Sequence, residues 1–348
     1  MSTTGNEAAR DTAGPATSDR AAAAHRRGGR SPALRMLATR SVGAVAVLLA
    51  VTVVVFLFVH LAPGGPEQAL AGREATPEQL AAIRARYGLD DPLWQQYLRY
   101  LGALTHLDLG TSLLRREPVT RSIGQAAGVT APLVLISWLL AAVAGTALGM
   151  FTALRAGSRL DRVVLALTVL AASTPVFATG LLLAWVFGIQ LDWLPVLGAG
   201  RDGGDRARYL VLPILTTTLV LLASSTRFAR VRIGQILEED QVTFARARGL
   251  STSYVLVRIV LRNAAVQTIT LSGAVLIAML GGLVVVEQVF ALPGLGTLLV
   301  TAIGARDIPV IQGVTLVVAV AVVVVNLVVD LLCLAVDPRM RRGLEVDR

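Results

Sequence analysis

The side chains able to do bond chemistry are few in this 348-residue chain, and their spacing assembles no catalytic or metal-binding set. The three histidines, His25, His60 and His106, lie far apart, and the one cysteine, Cys333, sits in an apolar run. No His/Cys/Asp/Glu group has metal-ligand spacing, so no metal is expected. A lone thiol closes no internal disulfide, and Cys333 reads as a buried structural residue. All 32 basic residues are Arg. Without Lys the chain has no Walker A loop to hold ATP phosphates and no amine for Schiff-base chemistry. The expectation is a protein that is not an enzyme and binds no cofactor itself.

Polar chemistry is concentrated instead in Asp240–Asn263, DQVTFARARGLSTSYVLVRIVLRN. Glu238, Glu239 and Asp240 stand at the start of a predicted helix that ends in Arg246 and Arg248, an order that complements the helix dipole. Gly249 is a natural residue to end that helix, and Ser251 a natural cap for the next one. Ala245 and Ala247 are small enough for a partner to approach closely. The alternatives are an ordinary solvated loop or a helix-turn-helix DNA reader. The tight setting between two apolar runs leaves no access to a DNA groove, so no nucleic-acid partner is expected despite the net charge of +9.

Further polar groups lie inside apolar runs. Asn326 and Asp330, four residues apart, share a helix face. They line a passage or inner gate, or they pair between helices near Arg339 or Arg341. Ser173-Thr174-Pro175 offers hydroxyls beside a proline kink, and Thr216-Thr217-Thr218 offers them without one. Either group suits a path for amide-bearing cargo or small-residue helix packing. Gly281-Gly282 and Gly294-x-Gly296 flank Glu287 and Pro293. That pattern reads as a broken or re-entrant segment forming an outer gate, or as a tight loop.

The elements that must position these residues are membrane spans. The chain is 54% hydrophobic and 16% charged, the balance of a multi-pass membrane protein in a lipid bilayer. Six runs approach the roughly 20 residues a crossing needs: Ser41–Leu61, Ala131–Leu154, Val163–Ile189, Tyr209–Ser225, Thr268–Val286 and Pro309–Val336. With the N-terminus inside, inside segments carry 21 Arg and short outside loops carry 4, so both termini are expected in the cytoplasm. The expected organisation is a disordered tail over 1–34, a first span over 35–62, and an extracytoplasmic helical segment over 63–130. A five-span core over 131–342, with a cytoplasmic loop over 227–264, and a tail over 343–348 follow. In the external segment, Thr76-Pro77-Glu78 starts a helix that reaches Tyr87 and stops at Gly88. A second helix begins at Asp91-Pro92 and runs to Leu104.

On these residues the chain resembles the permease subunits of binding-protein-dependent ABC importers. Their coupling loop reads E-A-A, three residues, then G. Here Thr243-Phe244-Ala245, Arg246-Ala247-Arg248 and Gly249 occupy those positions, with Thr243 and Phe244 departing from the pattern. Leu61-Ala62-Pro63-Gly64, Asp108-Leu109-Gly110-Thr111-Ser112, Val286-Glu287-Gln288, Leu292-Pro293-Gly294, Arg306-Asp307 and Asp337-Pro338-Arg339 follow in the order of the B-type dipeptide/oligopeptide subunit.

The resemblance implies an all-α, six-span permease of the type I importer class in a bacterial inner membrane. It implies that this chain forms half of a path for short peptides. A homologous second permease would complete the path, two cytoplasmic ATPase subunits would hold ATP and Mg, and an extracytoplasmic binding protein would deliver cargo. Thr243 to Gly249 would couple to the ATPase. Ser173, Thr174, Pro175, Thr217, Glu287, Asn326 and Asp330 are the candidates for path or gate. The rival readings are the same machine carrying nickel chelates, glutathione or sugar-linked compounds, a secondary transporter, and an intramembrane enzyme. The chain shows neither clear inverted repeats nor the midplane acids of the second rival, and no catalytic set for the third.

Overall fold

The computed structural model describes residues 32–61, 67–68, 75–200 and 203–336. The expected disorder of 1–31, the motifs Ala62–Gly64 and Asp337–Arg339, and the tail 343–348 lie outside these residues. Residues 32–34, expected in the tail, already belong to a helix. Among the described residues there is no strand, only an isolated bridge between Thr111 and Pro118.

In chain order the helices are α1 (Pro32–Leu61), α2 (Pro77–Tyr87), α3 (Leu93–Thr105), α4 (Val119–Leu154), α5 (Arg159–Ser173) and α6 (Val176–Gln190). They continue with α7 (Gly203–Leu237), α8 (Asp240–Ala247), α9 (Thr252–Val289), α10 (Leu295–Ala305) and α11 (Ile308–Val336). Five helices, α1, α4, α7, α9 and α11, are long and apolar enough to cross a membrane, and the bent α5–α6 pair, counted as one broken span, brings the number to six. Several outrun the apolar runs. At 1.5 Å per residue, the 36 residues of α4 extend well past a hydrocarbon layer of about 30 Å. Hydropathy marks where a helix meets lipid, not where it ends.

The third span is the main departure. The run Val163–Ile189 was expected as one crossing, but α5 and α6 meet at 105°. Pro175 supplies no N–H, and its ring drives Thr174 out of the helical region, to φ −86 and ψ 126. Thr174 Oγ1 donates to the Leu170 carbonyl at 2.9 Å, satisfying an acceptor at the broken end. The kink expected at this proline is thus a full break.

α4 carries the core from end to end. Val119, Ile123 and Ala126 pack with Leu298, Ala302, Val310 and Val314 at the far end. Leu133 meets Leu212, Phe290 and Leu292 in the middle. Ala153 joins Ala229, Ile233 and Val242 at the Arg-rich end. Between the last two layers, Gly145 and Gly149 bring α4 and α7 into backbone contact. A Cβ on Gly149 would lie 2.7 Å from the Thr226 carbonyl oxygen and 2.8 Å from the Arg230 nitrogen. This is small-xxx-small packing, which drives helix association in lipid.

The 63–130 segment holds its two expected helices. Thr76 and Gln79 form a reciprocal capping box on α2, and Gly88 ends it with φ 59. α3 folds onto α1, with Tyr97 Oη 2.9 Å from Thr52 Oγ1 and Gln96 Oε1 3.1 Å from His60 Nε2. Burial in this contact pushes the Tyr100 phenol up to about 12.

Candidate functional site

The segment between α7 and α9 is built as a short helix seated on an apolar patch. Glu239 is the N-cap residue of α8 and Asp240 lies in its first turn, with Arg246 in its last. The helix ends in a Schellman motif: the Gly249 N–H bonds the Arg246 carbonyl at 2.9 Å and the Leu250 N–H bonds the Ala245 carbonyl at 3.2 Å. Gly249 has φ 75, a conformation that side-chain-bearing residues rarely adopt. Ser251 then caps α9, accepting from the Tyr254 N–H at 3.3 Å. After one α-helical turn, Thr252–Tyr254, α9 passes through the π-helical stretch Val255–Leu261 before its long α-helical body.

Val242 and Ala245, three residues apart, point into the bundle with 0% and 6% exposure. They meet Ala153, Ala229, Ile233, Ile236, Val255, Val260 and Ala264. Burying a side chain of Val242's size contributes roughly 1.5–3 kcal/mol. Thr243, Phe244, Arg246, Ala247, Arg248 and Gly249 are exposed, Phe244 by 69%. This corrects one expectation. Ala245 does not offer close approach to a partner, because helical spacing puts it on the inner face with Val242; Ala247 keeps that position.

The residues expected to line a path separate. Thr217 is 5% exposed and donates to the Pro213 carbonyl of its own helix at 2.8 Å, so it faces packing and not a passage. Ser173 and Pro175 are exposed at the break, with Thr174 half-buried. Asn326 is exposed and donates to the Val322 carbonyl at 3.0 Å. Asp330 pairs with Arg40 of α1 at 3.2 Å. That is the helix-pairing reading, with a partner from the first span in place of Arg339 or Arg341, which lie outside the described residues.

Glu287 has no exposure and faces no passage. Its Oε1 accepts from Thr130 Oγ1 at 2.7 Å and its Oε2 from the Thr297 N–H at 2.8 Å. Thr130 Oγ1 in turn accepts from the Leu295 N–H at 2.8 Å. Glu287 of α9 and Thr130 of α4 therefore satisfy the first turn of α10. Gly294 is required for this approach, since a Cβ there would lie 2.1 Å from Glu287 Oε1. The broken segment anticipated between the glycine pairs lies after Val289. Gly281 and Gly282 are inside the continuous α9.

Two constellations escaped the sequence reading. Asp161 receives a bidentate pair from Arg230, Nε to Oδ1 at 2.6 Å and the second guanidinium nitrogen to Oδ2 at 2.7 Å. Asp307 accepts from Ser112 Oγ at 2.5 Å and the Leu114 N–H at 3.1 Å, tying the α3–α4 connection to the start of α11. Ser158 three residues before Asp161 signals a helix start. Nothing in the sequence signals a partner 69 residues away.

Long apolar helices, with a small polar helix slung between two of them, are the architecture of a multi-pass membrane protein. The chain belongs to the family of binding-protein-dependent transport system inner membrane components, which matches residues 145–342. The N-terminal family of the same membrane components matches residues 33–123. It is thus an inner-membrane ABC importer permease and not the ATPase. The glutathione transport system permease protein GsiC of Salmonella paratyphi A is 39% identical over 308 residues, covering 88% of this chain and 99% of the relative. The protein of the same name from Escherichia coli K12 is 37% identical over the same length and coverage.

Proposed function

We propose that this permease forms half of a translocation path for short peptides, with glutathione, itself a tripeptide, the first cargo to test. Relatedness to glutathione permeases across nearly their whole length supports that choice. The bias of 21 Arg against 4 supports cytoplasmic termini and a cytoplasmic α8. A homologous permease completes the path, an extracytoplasmic binding protein delivers cargo, and two ATPase subunits hold ATP and Mg.

The observation that carries the coupling role is the division of α8 into two faces. Val242 and Ala245 seat it, while Phe244, Arg246 and Arg248 are left for a partner. When the ATPases close on ATP, they displace α8. Its apolar seat carries the displacement into α4, α7 and α9, and the spans rock to alternate access. This chain transmits work and makes no bond.

The test is the reconstituted complex in proteoliposomes carrying Gly249→Val, which strains a position held at φ 75. Stimulated ATP hydrolysis and uptake are both expected to fall by about tenfold or more, within the usual span of coupling between sites. Unchanged values in a fully assembled complex would overturn the coupling role. For cargo, labelled glutathione uptake competed by dipeptides and tripeptides is expected. Binding-protein-stimulated ATP hydrolysis without uptake of any of them would overturn the peptide reading.

A further inference from the structure

The Asp161–Arg230 pair occupies a particular place between the docking end and the broken span. Arg230 lies on α7 beside Ala229 and one turn before Ile233, and both of those neighbours seat α8. At one level of α7, therefore, one face holds the docking helix and another reaches α5 through a guanidinium. On the α5 side, Asp161 is 1% exposed. Its Oδ2 also accepts from the Gly157 N–H at 2.9 Å, and its own N–H bonds Ser158 Oγ at 3.1 Å. The carboxylate is thus held by one backbone N–H, on a backbone fixed by the Ser158 cap, before Arg230 arrives. A planar fork on a preset carboxylate resists rotation as well as separation.

α5 packs along α7, but few of its side chains are buried there. Its only other buried residue is Thr168, whose hydroxyl is spent on the Leu165 carbonyl of the same helix. Beyond Thr174 the chain turns through 105° into α6. There Gly180 is buried, and a Cβ added to it would come within 3.3 Å of Phe290 and Val289 and 3.4 Å of Thr216. α5 is thus a strut. One end is fastened to the docking region by the ion pair, and the other leads through a break into the packing around the middle of the bundle.

We propose that Asp161 and Arg230 are positioning residues that make the broken third span follow α7 when α8 is displaced. Without the pair, α7 moves while α5 lags, and ATP hydrolysis separates from transport. This rests on the coupling role assigned to α8, and the experiment has one arm that does not.

That arm uses the full chain alone in nanodiscs, with Cys333→Ser and spin labels at the exposed Leu167 of α5 and Gln235 of α7. The native pair is expected to give one narrow distance distribution, broadened by Asp161→Asn and by Arg230→Gln. A distribution equally narrow in both variants overturns the clasp, whatever α8 does. The second arm uses the assembled complex in proteoliposomes. Either single variant is expected to keep ATP hydrolysis while uptake per ATP falls by about tenfold. The exchange Asp161→Arg with Arg230→Asp is expected to restore at least half of it. Unchanged uptake per ATP, or hydrolysis and uptake falling together without rescue by the exchange, overturns the role in transmission. If Gly249→Val leaves coupling intact while the spin-label arm succeeds, the docking role fails and the clasp stands as a fastening of α5 to α7.

Discussion

Two short helices, α8 and α10, are each inserted between long ones, and they are fastened by opposite means. α8, eight residues long, rests on Val242 and Ala245 and ends on a glycine. α10, eleven residues long, is pinned at its first turn by Glu287 and Thr130, which reach in from two different spans. Apolar seating is non-directional and tolerates sliding or tilting. Hydrogen bonds to a carboxylate shielded from water are directional and expensive to leave unmade. A helix meant to move with a partner suits the first fastening. A helix that must hold a broken backbone together inside the bundle needs the second.

The largest expected effect comes from breaking the pinned side. Glu287→Ala strands the Thr297 N–H and the Thr130 hydroxyl at a site with no exposure. Each buried donor left without its acceptor costs about 1–3 kcal/mol, so the variant should purify poorly and unfold earlier in a detergent thermal-shift assay. Glu287→Gln keeps the shape and one acceptor oxygen and should recover much of that loss. Equal behaviour of the two variants would mean that the carboxylate is not what fastens α10.

A middling effect is expected at the seat of α8. Ala245→Leu forces extra methylenes against Ile233 and Ile236, which are 1% and 0% exposed. Overpacking of this kind typically costs 1–3 kcal/mol. The strain has an outlet here, because α8 can lift away as a unit. Hydrogen exchange should therefore accelerate over residues 240–249 while α4 and the body of α9 stay protected. Acceleration spread through α4 and α9 would show that the two helices are not fastened so differently after all.

The same contrast explains what could be read from the sequence. The α8 region was legible because its determinants are local: acids, then arginines, then Gly249 and Ser251 within a dozen residues. Only the inward turn of Ala245 was missed, since helical phase depends on which face finds the apolar seat. Around α10, Gly294 and Pro293 announce the break, but an acid in an apolar run, Glu287, reads as a gate residue as readily as a tether. Its partners Thr130 and Thr297 are 157 and 10 residues away, and no short pattern announces them. Asp161 with Arg230, and Gly149 against α7, failed for the same reason. The six apolar runs were visible, yet the break of the third depended on how far Pro175 could turn the chain, which tertiary packing decides.

The smallest expected change in stability sharpens the comparison most. Phe244 is 69% exposed on the face of α8 away from Val242 and Ala245, so it lies outside the seat and, under the coupling role proposed for α8, faces the ATPase. Phe244→Ala should leave the thermal stability of the isolated permease within about 0.5 kcal/mol, as for surface substitutions generally. In the assembled complex the same truncation removes an aromatic side chain of the kind that anchors protein interfaces, where losses of about 2 kcal/mol or more are usual. That corresponds to roughly thirtyfold weaker ATPase association at 1.4 kcal/mol per tenfold, measurable by titrating the ATPase onto permease in nanodiscs. A stability loss matching that of Ala245→Leu, with ATPase affinity unchanged, would assign Phe244 to the seat and erase the distinction between the two faces of α8.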